Sequence, residues 1–115
     1  MLEVRNATFA LHAPDAALAR EWYERVLGRP PDLIPVDGVF EWRLGPAAWL
    51  QVAAGEPGGA AVLRLGVPDL DAALAVLAAA GARLGEVERI PGVIALCDAE
   101  DPFGNVLSLY AELDG

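Results

Sequence analysis

The sequence predicts an α+β fold made of two tandem βαβββ modules that form a curled mixed sheet around a cavity. Two observations carry this. Pro14-Asp15 and Pro68-Asp69 stand 54 residues apart in a chain of 115, close to half its length, so the chain reads as a duplication. Within each copy the apolar pattern passes from strand-like alternation to helical spacing and back to short strands.

In the first copy, a strand over residues 7–11 leads through Pro14-Asp15 to a helix over 16–26 that closes at Leu27-Gly28. Asp15 is placed to cap that helix, because its carboxylate can accept from the unpaired amides of the first turn. Leu18, Trp22 and Val26 recur at helical spacing and mark its buried stripe, with Trp22 and Tyr23 as packing residues. Residues 32–36 are expected to hold a further strand. Strands over 39–44 and 48–53 then flank the Gly45-Pro46 turn.

The second copy repeats the order. A strand over 61–65 leads through Pro68-Asp69 to a helix over 70–80, with Leu70, Leu74 and Leu77 as its stripe and Gly81 as its stop. Residues 83–90 hold a further strand, and strands over 93–97 and 106–110 are joined by the polar stretch 98–105. The Gly- and Pro-rich residues 55–59 read as the link between copies, giving one domain, 1–115, with modules at about 3–55 and 60–113.

Composition limits the function. An apolar fraction of 55% with 22% charged residues supports a real core and excludes a disordered tail. Seventeen acidic residues against eight basic ones, all Arg, give a net charge of −9. No basic stripe is present to meet phosphates, so a nucleic-acid partner is not expected, whereas a cationic ligand would be favoured by the field. The single cysteine, Cys97, cannot form an internal disulfide. No segment is apolar over the roughly 18–20 residues that a membrane span requires. A cytoplasmic location with no membrane partner is the expectation.

Pro14-Asp15, Trp22-Tyr23, Val26-Leu27-Gly28, Pro68-Asp69, Gly81 and Asp101-Pro102-Phe103-Gly104-Asn105 occur in an order that resembles the vicinal oxygen chelate superfamily of glyoxalases, ring-cleaving dioxygenases and bleomycin-resistance proteins. The resemblance spans about residues 4–112. It implies that metal-using relatives hold a divalent ion with ligands from the first and last strand of each copy, at positions that correspond here to Thr8, Gln51, Val62 and Ser108. Hard cations need carboxylates or imidazoles beside open coordination positions, and these four residues supply neither. No metal and no other cofactor is therefore expected, and no catalytic residue is assigned.

Other candidates carry weaker chemistry. His12 shares a face with Thr8 by alternation but is the only histidine. Cys97 ends an apolar strand with no histidine beside it and reads as an inert buried thiol. Asp98, Glu100 and Asp101 lack calcium-loop spacing, so Asp101 reads as the organiser of a turn. Trp42 and Trp49 lie on neighbouring strands, and two arrangements remain open: the indoles form a flat apolar wall of the cavity, or Trp42 packs under the helix.

The expected function is that of a metal-free small-molecule-binding protein that sequesters a hydrophobic or planar ligand in a groove walled by Thr8, Trp42, Trp49, Gln51, Val62 and Ser108. The bleomycin-resistance branch implies a homodimer. The alternative is a lyase, isomerase or dioxygenase whose metal is held by unusual ligands.

Overall fold

The computed structural model describes residues 3, 5–57 and 63–113. The chain divides into two compact units, Met1–Gly59 and Ala60–Gly115. Among the described residues there are two helices and two mixed sheets, so the α+β class holds.

Unit 1 contains β1 (Ala7–Ala13), α1 (Ala16–Leu27), β2 (Val39–Gly45) and β3 (Ala48–Ala54). The sheet order is β1-β3-β2, with β1 parallel and β2 antiparallel to β3. The Asp15 carboxylate accepts from the amides of Ala17 and Leu18 at 3.0 and 3.1 Å, which satisfies two of the donors left over in the first turn. Gly28, at φ 77°, ends the helix in the left-handed conformation that its missing Cβ permits.

The buried face of α1 is Ala19, Trp22 and Tyr23; of the expected stripe Trp22 is buried and Val26 half-buried, whereas Leu18 is 54% exposed. The two aromatic rings are in edge contact, with centroids 4.8 Å apart, and they bury more surface than a leucine on the adjoining face could. Ala19, small and fully buried, sits on the same face. Leu11, Ala13, Phe40, Trp42, Leu50 and Val52 complete this core from the sheet.

The strand expected over 32–36 does not form. Among the described residues its only ladder pairing with β2 is one isolated bridge, Leu33 with Glu41. Pro30, Pro31 and Pro35 lack the amide donor that a ladder needs, and each restricts the residue before it. Unit 1 is therefore one strand short of the predicted module.

Unit 2 contains β4 (Leu63–Gly66), α2 (Leu70–Ala79), β5 (Arg83–Leu84), β6 (Glu88–Ile90), β7 (Ile94–Glu100) and β8 (Val106–Glu112). The order is β4-β8-β7-β5, and β6 also pairs with β7. Strand β4 is parallel to β8; the remaining pairings are antiparallel. Asp69 caps α2 by accepting from the Ala72 amide at 3.1 Å. Leu70, Leu74 and Leu77 are buried as the spacing predicts.

The segment 83–90 holds two short strands rather than one. Between them the Gly85 amide donates to the Asp98 carbonyl at 2.8 Å, and a Cβ at Gly85 would lie 3.0 Å from that oxygen. Strand β7 continues to Glu100, so Asp98 and Glu100 belong to the sheet and the loop is only 101–105. No helix among the described residues is long and apolar enough to cross a membrane.

Candidate functional site

Residues paired directly across a ladder point to the same side of the sheet, so the register decides which candidates can meet. In unit 1 the register aligns Thr8, Trp49 and Arg43 in one row and Ala10, Gln51 and Glu41 in the next. Thr8, Trp49 and Gln51 therefore share one face.

Trp42 does not join them. It pairs with Leu50, one residue out of step with Trp49, and is 0% exposed. Its ring centroid lies 6.4 Å from that of Tyr23 on α1, and its Nε1 donates to the Arg29 carbonyl at 3.0 Å. Of the two arrangements left open, Trp42 adopts packing under the helix, and the paired indole wall does not form. Arg43 and Glu41 share the face of Trp49 and Gln51.

Arg43 is committed to structure. Its guanidinium donates to the carbonyls of Gly45 and Pro46 at 3.1 and 2.8 Å, bracing the β2–β3 turn. Its amide donates to the Asp32 carboxylate at 2.7 Å, and that bond, aided by Arg29, holds the Asp32 carboxyl below its usual range despite a partial opposing effect of desolvation.

In unit 2 the register aligns Arg64, Ser108 and Asp98 across β4, β8 and β7. Beside this row lies an open cavity of about 400 Å³ lined by Arg64, Ile94, Leu96, Ser108 and Tyr110. Ser108 is 1% exposed, and its Oγ has no hydrogen-bond partner. A buried hydroxyl without a partner costs roughly 1–3 kcal/mol, so an orphan in a cavity wall marks a position that something else can satisfy. Arg64 is exposed and forms no ion pair with the carboxylates among the described residues. Val62 lies outside the described residues.

Four of these five lining residues were not among the sequence candidates. Arg64 stands alone as a charge within the apolar run 61–65, which was the available signal. Its place beside Ser108, however, follows from the parallel register of β4 on β8.

The remaining candidates are accounted for by structure. Asp101 is buried, and its Oδ1 accepts from the amides of Phe103 and Asn105, both at 2.8 Å, while Oδ2 accepts from Asn105 Nδ2 at 3.0 Å. It is the organiser of the loop. The buried Cys97 thiol lies 3.5 Å from the Gly85 carbonyl and 3.4 Å from that of Asp98, and desolvation pushes its pKa up. His12 is half-buried beside Gly55, where a Cβ would meet its ring at 2.9 Å.

The donor set does not fit a divalent ion. Thr8, Gln51 and Ser108 offer neutral oxygens, and no group of three or more His, Cys, Asp or Glu among the described residues is arranged to hold a metal.

No protein-family model and no curated protein sequence matches the chain. Solved structures do. A glyoxalase/bleomycin resistance protein from Catenulispora acidiphila aligns at 24% identity over 95% of this chain and 98% of its own, with a TM-score of 0.77. A glyoxalase-related enzyme from Fulvimarina pelagi aligns at 16% identity over 97% and 89%, also at 0.77. A lactoylglutathione lyase from Agrobacterium tumefaciens aligns at 18% identity over 90% of each chain, at 0.70.

Proposed function

Because the chain carries the fold of glyoxalase/bleomycin resistance/dioxygenase superfamily proteins, we propose that it is a small-molecule-binding protein of that fold that works without a metal. The observation that carries the proposal is the buried, unpartnered hydroxyl of Ser108 in the wall of an open cavity that is otherwise largely apolar. Cavities of this size, with a few converging polar groups, suit a small organic ligand. On the matching strand of unit 1, Gln51 offers a neutral amide next to the Trp49 row, a second surface suited to a planar group.

The metal-free part rests on the chemistry of the donors. Neutral hydroxyl and amide oxygens alone are poor ligands for an ion that must polarise a substrate, whereas they serve well as hydrogen-bond partners. A cytoplasmic homodimer completes the proposal. Leu33, Ile34 and Val36 in unit 1 and Ile90 and Val93 in unit 2 are exposed apolar side chains from which a contact between copies can be built.

The test is a thermal-shift titration of chelator-treated protein against divalent metals and against small organic molecules, since a ligand that prefers the native state raises its melting temperature. A shift with organic molecules and none with metals is expected. A shift that requires a metal and disappears with chelator supports the competing reading, a lyase, isomerase or dioxygenase with unusual ligands. Light scattering during size exclusion checks the dimer.

A further inference from the structure

We infer that the unit 2 cavity binds an apolar monocarboxylate, with Arg64 taking the carboxylate, Ser108 donating a hydrogen bond to it, and Ile94, Leu96 and Tyr110 covering its apolar body. The inference rests on the small-molecule reading above and names the ligand class of the same site.

The polarity of the cavity supports an anion. Among the described residues, Arg64 is the only charged one in its wall, and its guanidinium forms no ion pair with a carboxylate. Register sets Arg64 directly beside Ser108, whose Oγ is buried without a partner. A guanidinium next to a hydroxyl donor is a natural carboxylate clamp, because the planar fork matches the two oxygens and the hydroxyl can add a third bond. The rest of the wall is two aliphatic side chains and a ring.

The chain's net charge of −9 favours cations at long range, the opposite of this assignment. Such a field is screened over about 8 Å at physiological salt, whereas a contact with Arg64 is not. The field acts instead on the number of charges. Glu88 faces Leu96 across the ladder and Glu112 faces Ile94, so acids flank the apolar part of the wall. Asp98 faces Ser108 from the third strand but lines separate recesses with Gly85. A second negative charge on the ligand would meet these groups, which selects one carboxylate over a dicarboxylate or a phosphate.

Position 64 also breaks the duplication. The residue 54 positions earlier is Ala10, and in unit 1 it occupies the corresponding place in the row with Gln51 and Glu41. The guanidinium is thus a feature of one copy alone.

The test uses the full chain and calorimetric titration with octanoate, benzoate and 2-naphthoate, each beside its primary amide, and with 2-naphthylmethylammonium as the cation. The acids should bind more tightly than their amides. Arg64→Gln should weaken the acids by about tenfold or more, as loss of a charge-assisted bond does, and leave the amides unchanged. Arg64→Lys should restore part of the difference. Because Arg64 is exposed, circular dichroism should show both variants folded. Acids and amides binding equally, or acids binding Arg64→Gln as well as wild type, would overturn the anion assignment while leaving a small-molecule site intact. Preference for the ammonium would do the same. Silence from all probes at millimolar concentration would overturn the assignment, and a metal-dependent thermal shift would separately remove the reading beneath it.

Discussion

The indole nitrogen of Trp42 donates to the carbonyl oxygen of Arg29 at 3.0 Å, joining the middle of β2 to the residue that follows the α1 cap. Helix, loop and sheet of unit 1 meet at this bond. Trp42→Phe should remove it, strand the Arg29 carbonyl and open a space beside Tyr23. The expected cost is about 2–4 kcal/mol, read from the midpoint of urea unfolding. Trp49→Phe, on the other face, should cost less than about 1 kcal/mol in the same assay.

Ser108→Ala should stabilise the free protein, which is unusual for a buried position. The hydroxyl has no partner, so removing it ends a desolvation cost of order 1 kcal/mol and leaves a methyl group in its place. Melting temperature should rise by roughly 4 °C. The same variant should bind octanoate or 2-naphthoate more weakly than wild type, so that stability and affinity move in opposite directions.

Asp101→Ala should be the most damaging single change in unit 2 outside its apolar core. One buried carboxylate accepts from two amides and a side-chain amide, and alanine removes that acceptor from all three donors. A loss of about 3 kcal/mol is expected, measured by chemical denaturation. Asp101→Asn should lose less, since its carbonyl oxygen can still accept from the loop amides.

Cys97 should resist alkylation in the native protein and react within seconds once denaturant is added, read by mass change over time. Burial raises its folded pKa above the unfolded value, so the native state holds the thiol proton more tightly. Stability from this group is fully present below the unfolded thiol range. It is lost as pH rises from there through the folded pKa, and Cys97→Ala should remove that part of the alkaline decline.

Much of the fold was legible because its punctuation is local. Asp15 and Asp69 cap the helices, Gly28 and Gly81 end them, and the Leu70, Leu74, Leu77 stripe is buried as its spacing requires. On α1, Trp22 and Tyr23 pack as the sequence indicates, but Leu18 does not join them, because the packing follows the two aromatic rings and a small residue, Ala19. The site was harder to read for a related reason. Whether Trp42 shares a face with Trp49 depends on a one-residue difference in pairing, with a bulge between Arg43 and Gly45. Arg64 gains its meaning only from β8, more than forty residues further along. Local pattern identifies strands, but nothing local specifies which rung of a distant strand they will meet.

In each unit the first strand made is a lateral partner of the last: β1 lies against β3, and β4 against β8. During synthesis, the hairpin of β2 and β3 can close over the short Pro46-Ala47 connection as soon as both have emerged. Strand β1, though older, must wait for that hairpin and then close a loop that contains the whole of α1. The earliest strand of unit 1 is thus the last of its sheet to find its place. Until it does, β3 presents an unpaired edge, which is where a nascent copy is most open to capture by a neighbour's strand.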